Sequence, residues 1–154
     1  MGLDVSHDCW HGAYSAFMRW RSKLAEVAGL PPLVLMEGFY RSNGDILSDP
    51  FSMIINYGKD DIGAGRIREI CKQLPIKWDA LKPNPLYELL YHSDCDGEIA
   101  WENCADIAFE LEKLLPLLPN EDAGGHIGNW QTKTQCFVDG LREAYTKKEN
   151  VDFH

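Results

Sequence analysis

Apolar residues return at helical spacing in several separate windows of this 154-residue chain. Across residues 13 to 28, Tyr14, Phe17, Met18, Leu24, Val27 and Ala28 recur about once per turn, and Gly29 followed by Pro31-Pro32 supplies a stop. A second helix is expected from about Gly65, where Ile67, Ile70, Cys71 and Leu74 share a face and Pro75 ends the run. Pro85 is well placed to open a short helix over Leu86–Tyr91. A longer helix should run from about Trp101 to Leu115 on Trp101, Cys104, Ala105, Ala108, Leu111 and Leu115, closed by Pro116 and Pro119. A last one is expected from Trp130 to Tyr145 on Thr134, Phe137, Val138 and Leu141.

Period-two alternation marks the remaining structure. Leu3-Asp4-Val5-Ser6 and Val151-Asp152-Phe153 alternate as strands do and are expected to pair with each other. Between the first two helices, Ser42-Asn43-Gly44-Asp45 and Ser48-Asp49-Pro50 carry turn chemistry, and Ser52–Tyr57 has the β-branched and aromatic content of a strand. The expectation is a single α+β domain, mainly helical with about five helices and a small sheet, and 154 residues suffice for one core.

Composition narrows the function classes. The apolar fraction of 45% with 25% charged residues is that of a globular chain. Fifteen basic against 24 acidic residues leave a net charge of −9, a field that repels a phosphate backbone, so broad nucleic-acid binding is disfavoured. No apolar run spans a bilayer and MGLDVSHDCW lacks a signal core, which makes a cytoplasmic location with no membrane partner the expectation. Five cysteines without a C-x-x-C pair fit reduced thiols better than a disulfide framework or a zinc ribbon.

The acidic stretch HSDCDGEIAWEN, residues 92 to 103, lies between two expected helices and resembles an EF-hand calcium loop. Asp94, Asp96, Gly97 and Glu98 fall at positions 3, 5, 6 and 7, and Ile99 at position 8. It departs from that family at both ends, with His92 at position 1 and Asn103 where a bidentate glutamate belongs. NEDAGGHIGNWQ repeats the layout more faintly through Asn120, Asp122, Gly125 and Ile127. Three readings stand: a degenerate calcium loop, a site for Mg or Zn on His92, Asp94, Asp96 and Glu98, and a turn whose carboxylates cap free amides.

HDCWHGAYSAFMRWR, residues 7 to 21, gathers imidazoles, indoles and guanidiniums at the first helix. Trp10, Tyr14, Phe17 and Leu24 suit its core face, while His11, Arg19 and Trp20 fall elsewhere. Rings beside arginines suit a base and its phosphate, so His7, Trp10, His11, Tyr14, Arg19 and Trp20 are candidate ligand-binding residues. Gly63, Gly65 and Arg66 open the second expected helix, where glycine amides and the helix dipole favour an anion. The G-K-[ST] ending of a Walker loop and the third glycine of a dinucleotide fingerprint are both missing.

Taken together, GLDVSHDCWHGAYSAFMRWR, HSDCDGEI and VDFH resemble a family of short uncharacterised proteins of bacteria and their phages. That resemblance implies a small accessory protein that sequesters a host signal or inhibits a host enzyme, with a small ligand or a host protein as partner. The functional expectation is a non-enzymatic binder of a small phosphorylated, nucleotide-like ligand. Its rivals are a divalent-metal-dependent phosphoester hydrolase on the acidic loop, aided by Arg66 or Arg19, and an EF-hand-like protein-interaction module.

Overall fold

The structure, a computed structural model, describes residues 2–36, 41–42, 45–46 and 76–154. Its strands are β1 (Leu3–Val5), β2 (Trp10–Gly12), β3 (Arg41–Ser42), β4 (Asp45–Ile46), β5 (Glu98–Ile99) and β6 (Val151–Asp152). Its helices are α1 (Tyr14–Val27), α2 (Leu86–Tyr91), α3 (Trp101–Leu114) and α4 (Trp130–Lys147). The class is α+β, with four of the five expected helices among the described residues. The helix expected from Gly65 and the strand expected at Ser52–Tyr57 lie outside them, as do Gly63, Gly65 and Arg66. No described helix is long and apolar enough to cross a membrane.

Local chemistry sets the helix ends. Gly29, at φ +70°, takes the left-handed turn that lets the Leu30 amide reach the Ala25 carbonyl at 3.0 Å. Asn84 accepts from the Leu86 amide at 3.0 Å and opens α2. Asn129 caps α4 by accepting from Gln131 and Thr132, and Asn150 supplies the same service to Trp101 of α3 at 3.0 Å. These capped helices bury one stripe each: Cys104, Ile107, Ala108, Leu111 and Leu114 on α3 meet Phe137, Val138, Leu141 and Ala144 on α4.

Alternation predicts that the two terminal segments pair with each other; each instead forms its ladder with another strand, and the two meet at one bridge. β1 pairs antiparallel with β2, and β6 with β5. Val5 bridges Phe153, with Asp4 and His154 exchanging amide bonds at 2.7 and 2.9 Å, so the two ladders are stitched together. Leu3, Val5, Trp10, Ile99, Val151 and Phe153 are buried, whereas Asp4, His11, Glu98, Asp152 and His154 are exposed on the opposite face. The core beneath is aromatic. Trp10, Phe17, Trp20, Phe137 and Phe153 form a chain of ring contacts with centroids 4.9 to 6.5 Å apart.

Two close approaches hold α1 and α4 against the rest. Arg21, only 1% exposed, lays its guanidinium over the Phe17 ring and donates through Nη1 to the carbonyls of Leu89, Leu90 and His92, the last at 2.6 Å. It thereby caps the C-terminus of α2, which has no basic residue of its own in its last turn. On the other side, the β1–β2 turn places His7 and Asp8 at positive φ, as a tight two-residue hairpin requires, and presses onto α4 at Gly140. A Cβ at Gly140 would stand 2.6 Å from the His7 carbonyl oxygen and overlap Cys9 Sγ.

Candidate functional site

The first turn of α1 carries no acidic residue, and Ala13 at its N-cap has no side chain able to accept from the free amides. The polar partner comes from elsewhere: the Ala13 amide donates to His126 Nδ1 at 2.7 Å. Because Nδ1 accepts, the neutral imidazole of His126 carries its proton on Nε2 and presents a donor there. This approach demands glycine at position 12, where a Cβ would fall 2.8 Å from His126 Cβ and φ is +154°.

Around this helix start lies an open cavity of about 380 Å³ lined on one side by Ser15, Ala16 and Arg19 and on the other by Ala123, Gly124, Gly125, His126 and Ile127. Ser15 and Arg19 are one turn apart, so both face it. Arg19 also fixes the far wall, since Nη1 donates to the Ala123 carbonyl at 2.8 Å while the guanidinium lies 5.4 Å from the Trp130 ring centroid. Gly124 and Gly125 adopt φ of +80° and +56°, with the Gly124 amide held by Asp122 at 2.6 Å. Among the described residues the lining therefore holds a guanidinium, a hydroxyl, an imidazole N–H and helix-start amides, and no carboxylate or thiol.

Of the ligand-binding residues expected from sequence that are among the described residues, Arg19 alone lines this cavity. Trp10 and Trp20 lie in the core at 1% and 0% exposure, with Trp20 Nε1 donating to the buried Thr134 hydroxyl at 2.9 Å. Their rings offer no open face to a base. The reason is periodicity: Phe17, Trp20, Arg21 and Leu24 form one stripe of α1, and the charge at position 21 conceals it in the sequence. Tyr14 is half-buried against the core. His7 bonds Glu149 through Nε2 at 2.8 Å and Ser6 through Nδ1 at 3.0 Å, tying the hairpin turn to the end of α4.

His11 stands on the exposed sheet face between Asp4, at 2.7 Å, and Asp8, at 3.3 Å. Hydrogen bonds to those two carboxylates raise its pKa above the ordinary histidine value. The strand beneath it is braced by Lys133, whose Nζ donates to the His11 carbonyl and sits 4.2 Å from the Trp10 ring centroid. Burial lowers the Lys133 pKa. None of these groups reaches the cavity.

The acidic loop is a helix–loop–helix between α2 and α3, with Gly97 at φ +92° and a two-residue strand at Glu98–Ile99. In a paired EF-hand arrangement Ile99 would bridge Ile127, but here it pairs with Val151 of β6. His92 stacks on Phe153 at 3.9 Å and donates through Nδ1 to the Ser93 carbonyl. Asp94, Asp96 and Glu98 do not converge with it: among the described residues no group of three or more His, Cys, Asp or Glu side chains is gathered in metal-binding geometry.

The described cysteines are free thiols. Cys9 and Cys104 are buried, and burial pushes the Cys104 thiol up to about 11 and that of Cys9 higher still, which keeps both protonated and inert. The cavity's far wall, Gly124-Gly125-His126, was open to sequence reading as a glycine pair beside a histidine, but nothing local placed it against α1. No protein-family model, curated protein or solved structure matches the chain.

Proposed function

We propose that the protein is a non-enzymatic binder of a small phosphorylated, nucleotide-like ligand, held at the start of α1 rather than among the tryptophans. The observation that carries this reading is the cavity itself, in which Arg19, Ser15, the His126 Nε2 donor and the first amides of α1 surround one space. Donors so arranged suit phosphate oxygens, and the positive end of the helix dipole adds to them. A volume near 380 Å³ lies in the range of small-molecule sites. Among the described residues the lining offers no general base, because His126 Nδ1 is committed to the Ala13 amide. Sequestration of a host phosphorylated signal is the role that fits such a binder.

The test uses Ser15→Asp. An aspartate in the first turn favours the helix dipole and should raise intrinsic stability by about 0.5 kcal/mol, yet it places a like charge where the phosphate would sit. Wild-type protein should gain melting temperature with inorganic phosphate or with a nucleoside monophosphate panel, because a ligand of the native state alone stabilises it. The variant should be at least as stable and show no such gain. An unresponsive wild type, or a variant that responds equally, overturns the reading.

A further inference from the structure

The turn between β1 and β2 joins a hydroxyl, an imidazole and a carboxylate in one chain of hydrogen bonds. Ser6 Oγ lies 3.0 Å from His7 Nδ1, and His7 Nε2 lies 2.8 Å from Glu149 Oε2. The partners fix where the protons sit. An ionised carboxylate only accepts, so the neutral imidazole carries its proton on Nε2 and donates it to Glu149, which leaves Nδ1 an acceptor. Ser6 Oγ in turn accepts from the Asp152 amide at 2.9 Å, so its own proton is the one directed at Nδ1. A hydroxyl that donates to a base, with the base oriented by a third group, is the arrangement of an activated nucleophile. The imidazole is only 9% exposed, whereas Ser6 is half-buried and continues the solvent side of β1 by alternation from Asp4.

We propose that Ser6 is a nucleophile activated by His7 and Glu149, and that it takes one acyl group from a short, uncharged activated ester. Ser6 Oγ attacks the acyl carbon while its proton passes to His7 Nδ1, and the imidazolium so formed is stabilised by the Glu149 carboxylate. The Oγ–carbon bond forms, the bond from carbon to the leaving oxygen breaks, and that oxygen departs with the bonding pair; the proton on His7 then returns to water. In serine nucleophile centres the amide after the nucleophile stabilises the oxyanion. Here that amide is the one of His7, and neither it nor the Asp8 amide has an acceptor among the described residues. Successive free amides in a turn favour an anion. Both residues hold positive φ, where Asn-Gly would sit more easily, so the imidazole occupies this place at a backbone cost. The carboxylates of Asp4, Asp8 and Asp152 on the same exposed surface disfavour an anionic acyl donor. The reaction is stoichiometric, and none of these residues lines the cavity at α1, so it stands independently of the ligand held there.

The experiment treats the full chain with p-nitrophenyl acetate at neutral pH and follows acetylation of Ser6 by peptide mass mapping, which separates it from acetylation of lysines. Native wild-type protein should acetylate at Ser6, and the chain unfolded in urea should not. His7→Asn removes the base, and asparagine accepts the positive φ of the turn; it should slow acetylation of Ser6 by about a hundredfold. Glu149→Gln changes a side chain that is 57% exposed and keeps an acceptor for Nε2, so folding is preserved while the charge is lost. It should slow the reaction by about tenfold or more. No acetyl group on Ser6 of the native protein, equal labelling of the unfolded chain, or unchanged rates in the two variants would each overturn the proposal.

Discussion

Replacing Gly140 by alanine sets two physical effects against each other. In the interior of a helix alanine is favoured over glycine by about 1 kcal/mol, so α4 considered alone should gain stability. The hairpin turn opposes this, because the new methyl would lie 2.6 Å from the His7 carbonyl oxygen and 3.2 Å from Cys9 Cα, as well as overlapping Cys9 Sγ. Two of these obstacles are backbone, and they belong to a turn whose central residues already hold positive φ. They cannot swing aside as a lysine tip would. Overpacking of this kind costs roughly 3 kcal/mol at the upper end of its usual range, leaving a net loss of about 2 kcal/mol. Urea unfolding should show a lower midpoint at an unchanged slope. A Cys9→Ala background removes the thiol and should make the two substitutions less than additive by about 1 kcal/mol. A midpoint equal to or above wild type for Gly140→Ala would refute the claim that hairpin and helix touch here.

Two other outcomes follow from buried polar groups. Arg21→Met keeps the apolar stem on Phe17 but leaves the carbonyls of Leu89, Leu90 and His92 without this donor, and should cost about 3 kcal/mol in a denaturant titration. A loss under 1 kcal/mol would show that water replaces the cap. For Glu88, a folded pKa above the ordinary 4.5 means the native state binds the proton more tightly than the unfolded one, so wild-type stability falls as pH rises through that interval. Burial sets that direction, outweighing the Asn103 hydrogen bond and the nearby charge of His92, both of which act to lower the pKa. Glu88→Gln should therefore match wild type below the ordinary carboxylate pKa and exceed it near neutrality; a constant difference across pH would contradict the assignment.

The parts of the fold legible in the sequence are those fixed by neighbours along the chain. The stripes on α3 and α4, the Gly29 stop and the alternating terminal strands all follow from spacing and turn chemistry. Arg21 was not legible, since nothing local says that a cation will enter the core to cap a helix some seventy residues away. The same limit applies to the candidate site. Arg19 was visible as a guanidinium off the expected core face, but its cavity exists only because His126 returns to the Ala13 amide across 113 positions. Conversely, Trp10 and Trp20 read as ligand platforms from composition, and burial claims both.

The stitch between Val5 and Phe153 also bears on how the molecule assembles. Residues 4–6 meet residues 152–154 across a separation of almost 150 positions. Pairing over that separation carries a large loop-closure entropy, which slows the step that forms it. A circular permutant joining position 154 to position 2 would make this contact local. It should refold faster while retaining the same native packing.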